Sequence, residues 1–222
     1  MNINRQYDNF ADEFSAGQAV LNKVNRDIMR RMIGKDLKNK VILDIGCGDG
    51  FDLEYFSSLG AKCYGIDSSE HLVQLARQRL PSAEITIGLA EQMVYSDNFF
   101  DFVFSKYAIM TSYDLEPIFK QAHRILKPRG IFIYLCTHPF RQFLEKKKTN
   151  ADYFQKEVVK SVLFAGRVTA KEPTHTFNEY FNKDFFYRFE MVDYVEAYDP
   201  AAEKINGANY PGFFIVKASK KG

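Results

Sequence analysis

A chain of 222 residues is long enough to bury the core of one α/β domain with additions. Its 46% apolar and 26% charged residues are ordinary for a globular protein, and a net charge of +2 argues against a broad electrostatic footprint for nucleic acid. No apolar run approaches the roughly 18–20 residues of a membrane span. The first residues lack the apolar core of a secretory signal, and Cys47, Cys63 and Cys136 have no metal-ligand spacing, which favours free thiols in a reducing cytoplasm and no metal.

In chain order, residues 7–14 place Tyr7, Phe10, Ala11 and Phe14 on one helical face. A longer amphipathic helix follows over Val20–Ile33, with Gly34 as its stop. Val41–Ile45 is an apolar run broken only by Asp44, and it reads as a buried strand. Glycines at 46, 48 and 50 then form a turn into a helix over Phe51–Leu59. Such a strand, turn and helix place backbone N–H groups beside a ligand. A dinucleotide fingerprint needs Gly or Ala where Phe51 stands, so the string leans away from NAD.

Ala61–Ile66 is the second strand, closed by Asp67. A carboxylate there has two acceptor oxygens for the two hydroxyls of an adenosine ribose; the competing role is a helix N-cap, which Ser68 or Ser69 can also fill. His71–Leu80 is a helix stopped by Pro81, and Ala83–Ile87 a third strand leading into Gly88-Leu89-Ala90-Glu91. Phe99–Ser105 is the clearest fourth strand, and its exit faces the ligand across the topological switch point. A helix over Leu115–Leu126, a Lys127-Pro128-Arg129-Gly130 turn and a fifth strand over Ile131–Thr137 end in His138-Pro139. Phe140–Val162 is polar and mostly helical in period, with Lys146–Lys148 as a solvated run. Phe177, Tyr180, Phe181 and Phe185 have helical spacing, and Met191–Tyr198 and Gly212–Ala218 read as two final strands.

The D-I-G-C-G-D-G string from Asp44 resembles motif I of the class I S-adenosylmethionine (SAM) dependent methyltransferases, small-molecule, type 11/25-like. Four further strings resemble the same family: Y-D-x-x-A-x-x-F from Tyr7, Gly88–Glu91 against G-D-A-E, F-D-x-V-x-S ending at Ser105, and L-K-P-R-G against L-K-P-G-G. The resemblance implies an α/β, Rossmann-like, doubly wound sheet of seven mostly parallel strands, with an antiparallel last strand and helices on both faces. It implies a single domain over 1–222, with an N-terminal helical cap over 1–35 and a helical or lid insertion over 139–188. It further implies SAM as cofactor, S-adenosylhomocysteine as product, and a small apolar or aromatic methyl acceptor, with neither nucleic acid nor membrane as partner. The cofactor residues it implies are Tyr7, Asp44, Gly46, Cys47, Gly48, Asp67, Ser68, Leu89, Ala90, Glu91 and Ser105. Leu89 stands where the family places an aspartate against the adenine. His138 and Tyr180 are candidate catalytic residues, and Glu179 and His175 weaker ones. Two other functions stay open: a SAM-binding regulator without transferase activity, and an NAD-dependent oxidoreductase.

Overall fold

The structure, a computed structural model, describes residues 3–18, 23–146, 152–163, 166, 168–198, 204–205 and 207–222. Five strands run parallel: β1 Val41–Ile45, β2 Lys62–Asp67, β3 Glu84–Ile87, β4 Phe100–Lys106 and β5 Leu126–Thr137. A separate antiparallel hairpin, β6 Val158–Leu163 and β7 Val168–Pro173, comes next in the chain. β8 Phe189–Ala197 and β9 Phe213–Lys220 then complete the main sheet, in the order β3-β2-β1-β4-β5-β9-β8. β9 pairs antiparallel with both neighbours, so it alone runs against the rest. This is the expected seven-stranded sheet.

The helices are α1 Ala11–Gln18, α2 Lys23–Ile33, α3 Phe51–Ser58, α4 Glu70–Arg79, α5 Glu116–Ile125 and the short α6 Pro139–Arg141, α7 Phe177–Tyr180 and α8 Lys183–Arg188. Strand alternation sends β5 side chains to opposite faces. Phe132, Tyr134 and Cys136 join Phe119, Tyr180, Phe185 and Phe214 on one face, and Ile133 and Leu135 join Met29, Leu53, Phe56 and Phe104 on the other. Both faces of the sheet are therefore covered by apolar layers, as a mostly parallel sheet requires. None of the helices among the described residues is long and apolar enough to cross a membrane.

Three expectations change. Residues 7–14 do not form one helix: Ile3–Phe10 is a 3-10 segment that hands over to α1 at Ala11. The second helix is seen from Lys23, and residues 20–22 of the expected Val20–Ile33 lie outside the described residues. The 139–188 insertion is only partly helical, because its centre is the β6–β7 hairpin. Burial alternates along both hairpin strands, a period of two, and Gly166 takes φ +90 between them. That period and the valines at 158, 159, 162 and 168 suit a half-buried strand, whichever polar residues stand between.

The L-K-P-R-G turn is also absorbed into a strand. Leu126 already pairs with Phe100, the register shifts, and Ile131 pairs with Phe102. Within this irregularity Arg129 takes φ +61, the left-handed region that disfavours a Cβ. Arg129→Gly is therefore expected to stabilise the protein by about 0.5–1 kcal/mol, read as a higher urea midpoint at unchanged slope.

Candidate functional site

At the carboxyl ends of β1 and β2 the glycine turn folds back on its neighbour strand. The N–H groups of Gly46 and Cys47 both donate to Ile66 O, at 2.7 and 3.1 Å. Gly46 takes φ +74, and a Cβ there would stand 2.1 Å from Ala108 Cβ, so only glycine lets the β1 exit pass the β4 exit this closely. Gly48 N–H donates to Asp67 Oδ2 at 2.8 Å and Ser69 N–H to Asp67 Oδ1 at 2.9 Å. Two backbone donors thus fix the plane of the Asp67 carboxylate. Burial raises its pKa while these N–H groups oppose the rise. Ser69 caps α4 by accepting Leu72 N–H, so Asp67 is not needed as the cap.

Asp44 is 4% exposed and its Oδ1 has no hydrogen-bond partner. Burial and then the nearby Asp52 charge push its pKa well up, while Lys106 opposes this. A buried acceptor left open costs about 1–3 kcal/mol, and a donor cation beside it would remove that cost. The open Asp44 oxygen, the anchored Asp67 carboxylate and the glycine turn between them fit a ligand with an ammonium group at one end and a ribose at the other.

Asp52, in the first turn of α3, was not among the residues singled out from the sequence, and it anchors a buried ion cluster. Its carboxylate meets Arg26 Nε at 3.1 Å, Arg30 Nη2 at 2.9 Å and Lys106 Nζ at 2.5 Å. Burial works against its ionisation, yet Lys106 and Arg26 outweigh that and hold the carboxyl below its usual range. Phe51 lies between one cation of this cluster and Arg79, which pairs with Asp49. The guanidinium of Arg26 lies 4.5 Å from the Phe51 ring centre and that of Arg79 lies 5.4 Å away.

Residues 3–18 lie across the glycine turn and the start of α4. Ser15 Oγ donates to Asp49 Oδ2 at 2.5 Å, and Asp8 Oδ1 accepts from Ser69 Oγ at 2.6 Å and from His71 N–H at 3.2 Å. Phe14 reaches within 3.1 Å of where a Gly48 Cβ would stand. Tyr7 packs edge-on against Phe10 and Phe14, and burial, then the charges of Glu172 and Asp67, push its phenol up.

The other candidates are spread more widely. Cys47 contributes its backbone to the turn, but its thiol is buried against Gly65, where an added Cβ would lie 2.8 Å from Cys47 Sγ. Ser105 is buried and donates to Ile45 O at 2.9 Å, knitting β1 to β4, so its hydroxyl is not turned to a ligand. Ser68 is half-buried beside Asp67. Leu89, Ala90 and Glu91 are half-buried at the 3-10 turn after β3, and Glu91 Oε1 accepts a short hydrogen bond from Ser112 Oγ.

Neither expected catalytic residue stands free. His138 is fully buried: Nδ1 accepts Phe140 N–H at 3.2 Å, capping α6, and Nε2 lies 3.1 Å from Glu196 Oε2. Burial lowers its pKa and Glu196 opposes this. With both nitrogens engaged, it has none for a substrate proton. Tyr180 is also fully buried, stacked on Tyr134 at 6.2 Å and edge-on to Phe214 at 4.9 Å, which makes it a core ring. His175 Nε2 lies 3.1 and 3.0 Å from the carbonyls of Met110 and Ser112, and Glu179 closes the capping box of α7.

Residues 43–134 match the family model of the methyltransferase domain. Over those residues the chain is similar to the methyltransferase domain of the class I SAM-dependent methyltransferases. The cofactor of this family is SAM. The chain is 35% identical over 99 residues to an uncharacterized methyltransferase of Synechocystis sp., covering 44% of this chain and 47% of that protein. It is 28% identical over 148 residues to a demethylmenaquinone methyltransferase of Geobacillus stearothermophilus, covering 61% and 62%. This chain thus spans about half to three-fifths of the length of these relatives. The methyltransferase fold recurs in a solved putative SAM-dependent methyltransferase of Listeria monocytogenes, at TM-score 0.69 and 24% identity over 84% of this chain and 93% of that one. A SAM-dependent methyltransferase of Mesorhizobium loti matches at TM-score 0.69 and 20% identity, over 88% and 95%. Leu89 is the apolar residue for which the resemblance implies an adenine contact. Leu89→Asp is expected to tighten SAM binding severalfold, by restoring a charged acceptor worth about 1–3 kcal/mol in a dry site. Calorimetric titration reads this directly, and weaker binding would mean that the adenine contacts a different loop.

Proposed function

We propose that this chain transfers a methyl group from SAM to a small molecule with an apolar or aromatic body, leaving S-adenosylhomocysteine. The observation that carries the reading is the pairing of an open, buried Asp44 oxygen with an Asp67 carboxylate held by two N–H groups across the glycine turn. When bound, the cofactor supplies an electrophilic methyl on a sulfonium. Asp44 would receive its ammonium and Asp67 its ribose hydroxyls, and Leu89 to Glu91 would flank the adenine. Tyr7 and Phe14 cover the turn and exclude water, so that alignment of the reacting atoms can carry most of the acceleration. A general base is required only when the acceptor must lose a proton.

The name of the demethylmenaquinone relative supports an aromatic acceptor, and so does the cluster of Tyr7, Phe10 and Phe14 at the site. We read residues 1–222 as one methyltransferase domain, with residues 1–35 as its cap and 139–188 as its lid. The three buried free cysteines agree with a cytoplasmic location. Calorimetry with SAM, followed by a metabolite screen with methyl-labelled SAM, tests the reading. Micromolar SAM binding and a labelled small molecule are expected. Binding of NAD with none of SAM would overturn it, and tight SAM binding with no labelled product from any extract would make the chain a sensor instead.

A further inference from the structure

Charge is unevenly shared along the chain. Residues 139–188 carry ten Lys and Arg against six Asp and Glu, a net +4, whereas the whole chain is +2 and the remainder therefore −2. Asymmetry of this kind points to an anionic partner for the basic part. Some of these cations are paired, Arg141 with Glu145 at 3.0 Å and Lys156 with Glu179. The β6–β7 hairpin presents others to solvent. Lys171 N–H donates to Gln6 Oε1 at 2.7 Å and Lys171 O accepts Gln6 Nε2 at 2.8 Å. These bonds tie the hairpin to the segment that covers the glycine turn, and the Lys171 side chain stays exposed.

Strand alternation buries Val159, Ser161, Val168 and Ala170 and leaves Val158, Lys160, Val162, Thr169 and Lys171 on the outer face. Lys160 and Lys171 are direct cross-strand partners, and like charges opposite each other destabilise a strand pair. Among the described residues neither lysine meets a carboxylate. Val158 and Val162 stand on either side of Lys160, and Val162 is 67% exposed. Just ahead of β6, Phe154 is 80% exposed and packs edge-on against Tyr153 at 5.2 Å. The outer face thus interleaves exposed apolar side chains with cations that no acid of the hairpin neutralises. A nucleic acid would use the cations and a ring face but gains nothing from exposed valines. An anionic bilayer takes both, lysines at its headgroups and valine and phenylalanine at the acyl boundary.

We propose that the outer face of the β6–β7 hairpin, together with Phe154, binds the surface of an anionic phospholipid bilayer. The contact is peripheral, because none of the described helices is long and apolar enough to cross a membrane. It adds a membrane surface to the partners implied by the family resemblance, which include none. Under the methyltransferase reading, docking through this hairpin holds the cleft beside the phase in which an apolar acceptor concentrates. Lipid binding itself does not depend on that reading.

The test sediments the full chain with vesicles of phosphatidylcholine, alone or with about one-third phosphatidylglycerol. The unmodified protein is expected to bind the mixed vesicles about tenfold more tightly, and to lose that preference at about 1 M salt. Lys160→Glu with Lys171→Glu keeps like charges opposite each other but reverses their sign, and is expected to abolish the preference. Phe154→Ser with Val162→Ser keeps the charge and is expected to weaken binding to the mixed vesicles about tenfold. Circular dichroism checks the fold of each variant, and S-adenosylhomocysteine affinity is expected to stay unchanged in both. Equal binding of the unmodified protein to the two vesicles overturns the proposal. So does a charge-reversed variant that binds like the unmodified protein, or a serine variant that does, since only a cation patch then remains. Binding to oligouridylate as tight as to the mixed vesicles assigns the surface to nucleic acid instead. If the unmodified protein fails to bind S-adenosylhomocysteine, the methyltransferase reading falls, and the vesicle comparison still decides the lipid proposal.

Discussion

Asp67→Ala is expected to weaken SAM binding by at least about tenfold, since two hydrogen bonds to a charged acceptor are lost together. The structure adds a second reason for a large effect. The same carboxylate accepts Gly48 N–H and Ser69 N–H, so its removal also frees the glycine turn from the start of α4. Asp67→Asn keeps one acceptor oxygen and should fall between the two. Ser69 continues to cap α4 in both variants, so the fold is expected to survive. Calorimetry with S-adenosylhomocysteine is the measurement, and an unchanged affinity for the alanine variant would sink the assignment of Asp67 to the ribose.

The largest loss of stability is expected from Asp52→Ala, at about 3–5 kcal/mol, because removing one partner of a buried ion cluster leaves the others uncompensated. The Arg26 and Lys106 side chains are 5% and 8% exposed, and neither can reach water without moving. Asp44 limits the damage. Its open Oδ1 lies in the field of Lys106 and can take over part of the Asp52 role. Asp52→Ala is therefore expected toward the lower end of the range, and adding Asp44→Asn should increase the loss. Urea unfolding followed by circular dichroism measures both. A loss below about 1 kcal/mol for Asp52→Ala would mean that the cluster relaxes into solvent.

The parts of the molecule legible in the sequence are those whose signal is local. Val41–Asp52 carries strand, turn and helix start in twelve consecutive residues, and Gly46 must be glycine for a reason visible wherever strand ends crowd. Asp67 and the Phe100–Lys106 strand are legible in the same way. The hairpin is concealed because polar and apolar residues stand on both of its sides: Ser161 and Glu172 are inward while Val158 and Val162 are outward, which masks a period of two. His138 and Tyr180 misled for a different reason. A histidine after the fifth strand and a tyrosine at helical spacing are compatible with a catalytic role, but only tertiary placement shows the first bonded to Phe140 N–H and Glu196 and the second stacked on Tyr134. Asp52 with Lys106, and Gln6 with Lys171, are pairs between distant segments. No periodicity or spacing brings such partners together on the page.

The two bonds between Gln6 and Lys171 join positions 165 apart in the chain. Closing so long a loop costs entropy that short-range contacts do not share, so it follows once the sheet has already drawn the two segments together. The folding route this implies assembles the parallel strands and the glycine turn first and lays the cover on last. For that interval the nascent molecule has a finished cofactor cleft with an open mouth, and a cofactor present during folding can enter before the mouth closes.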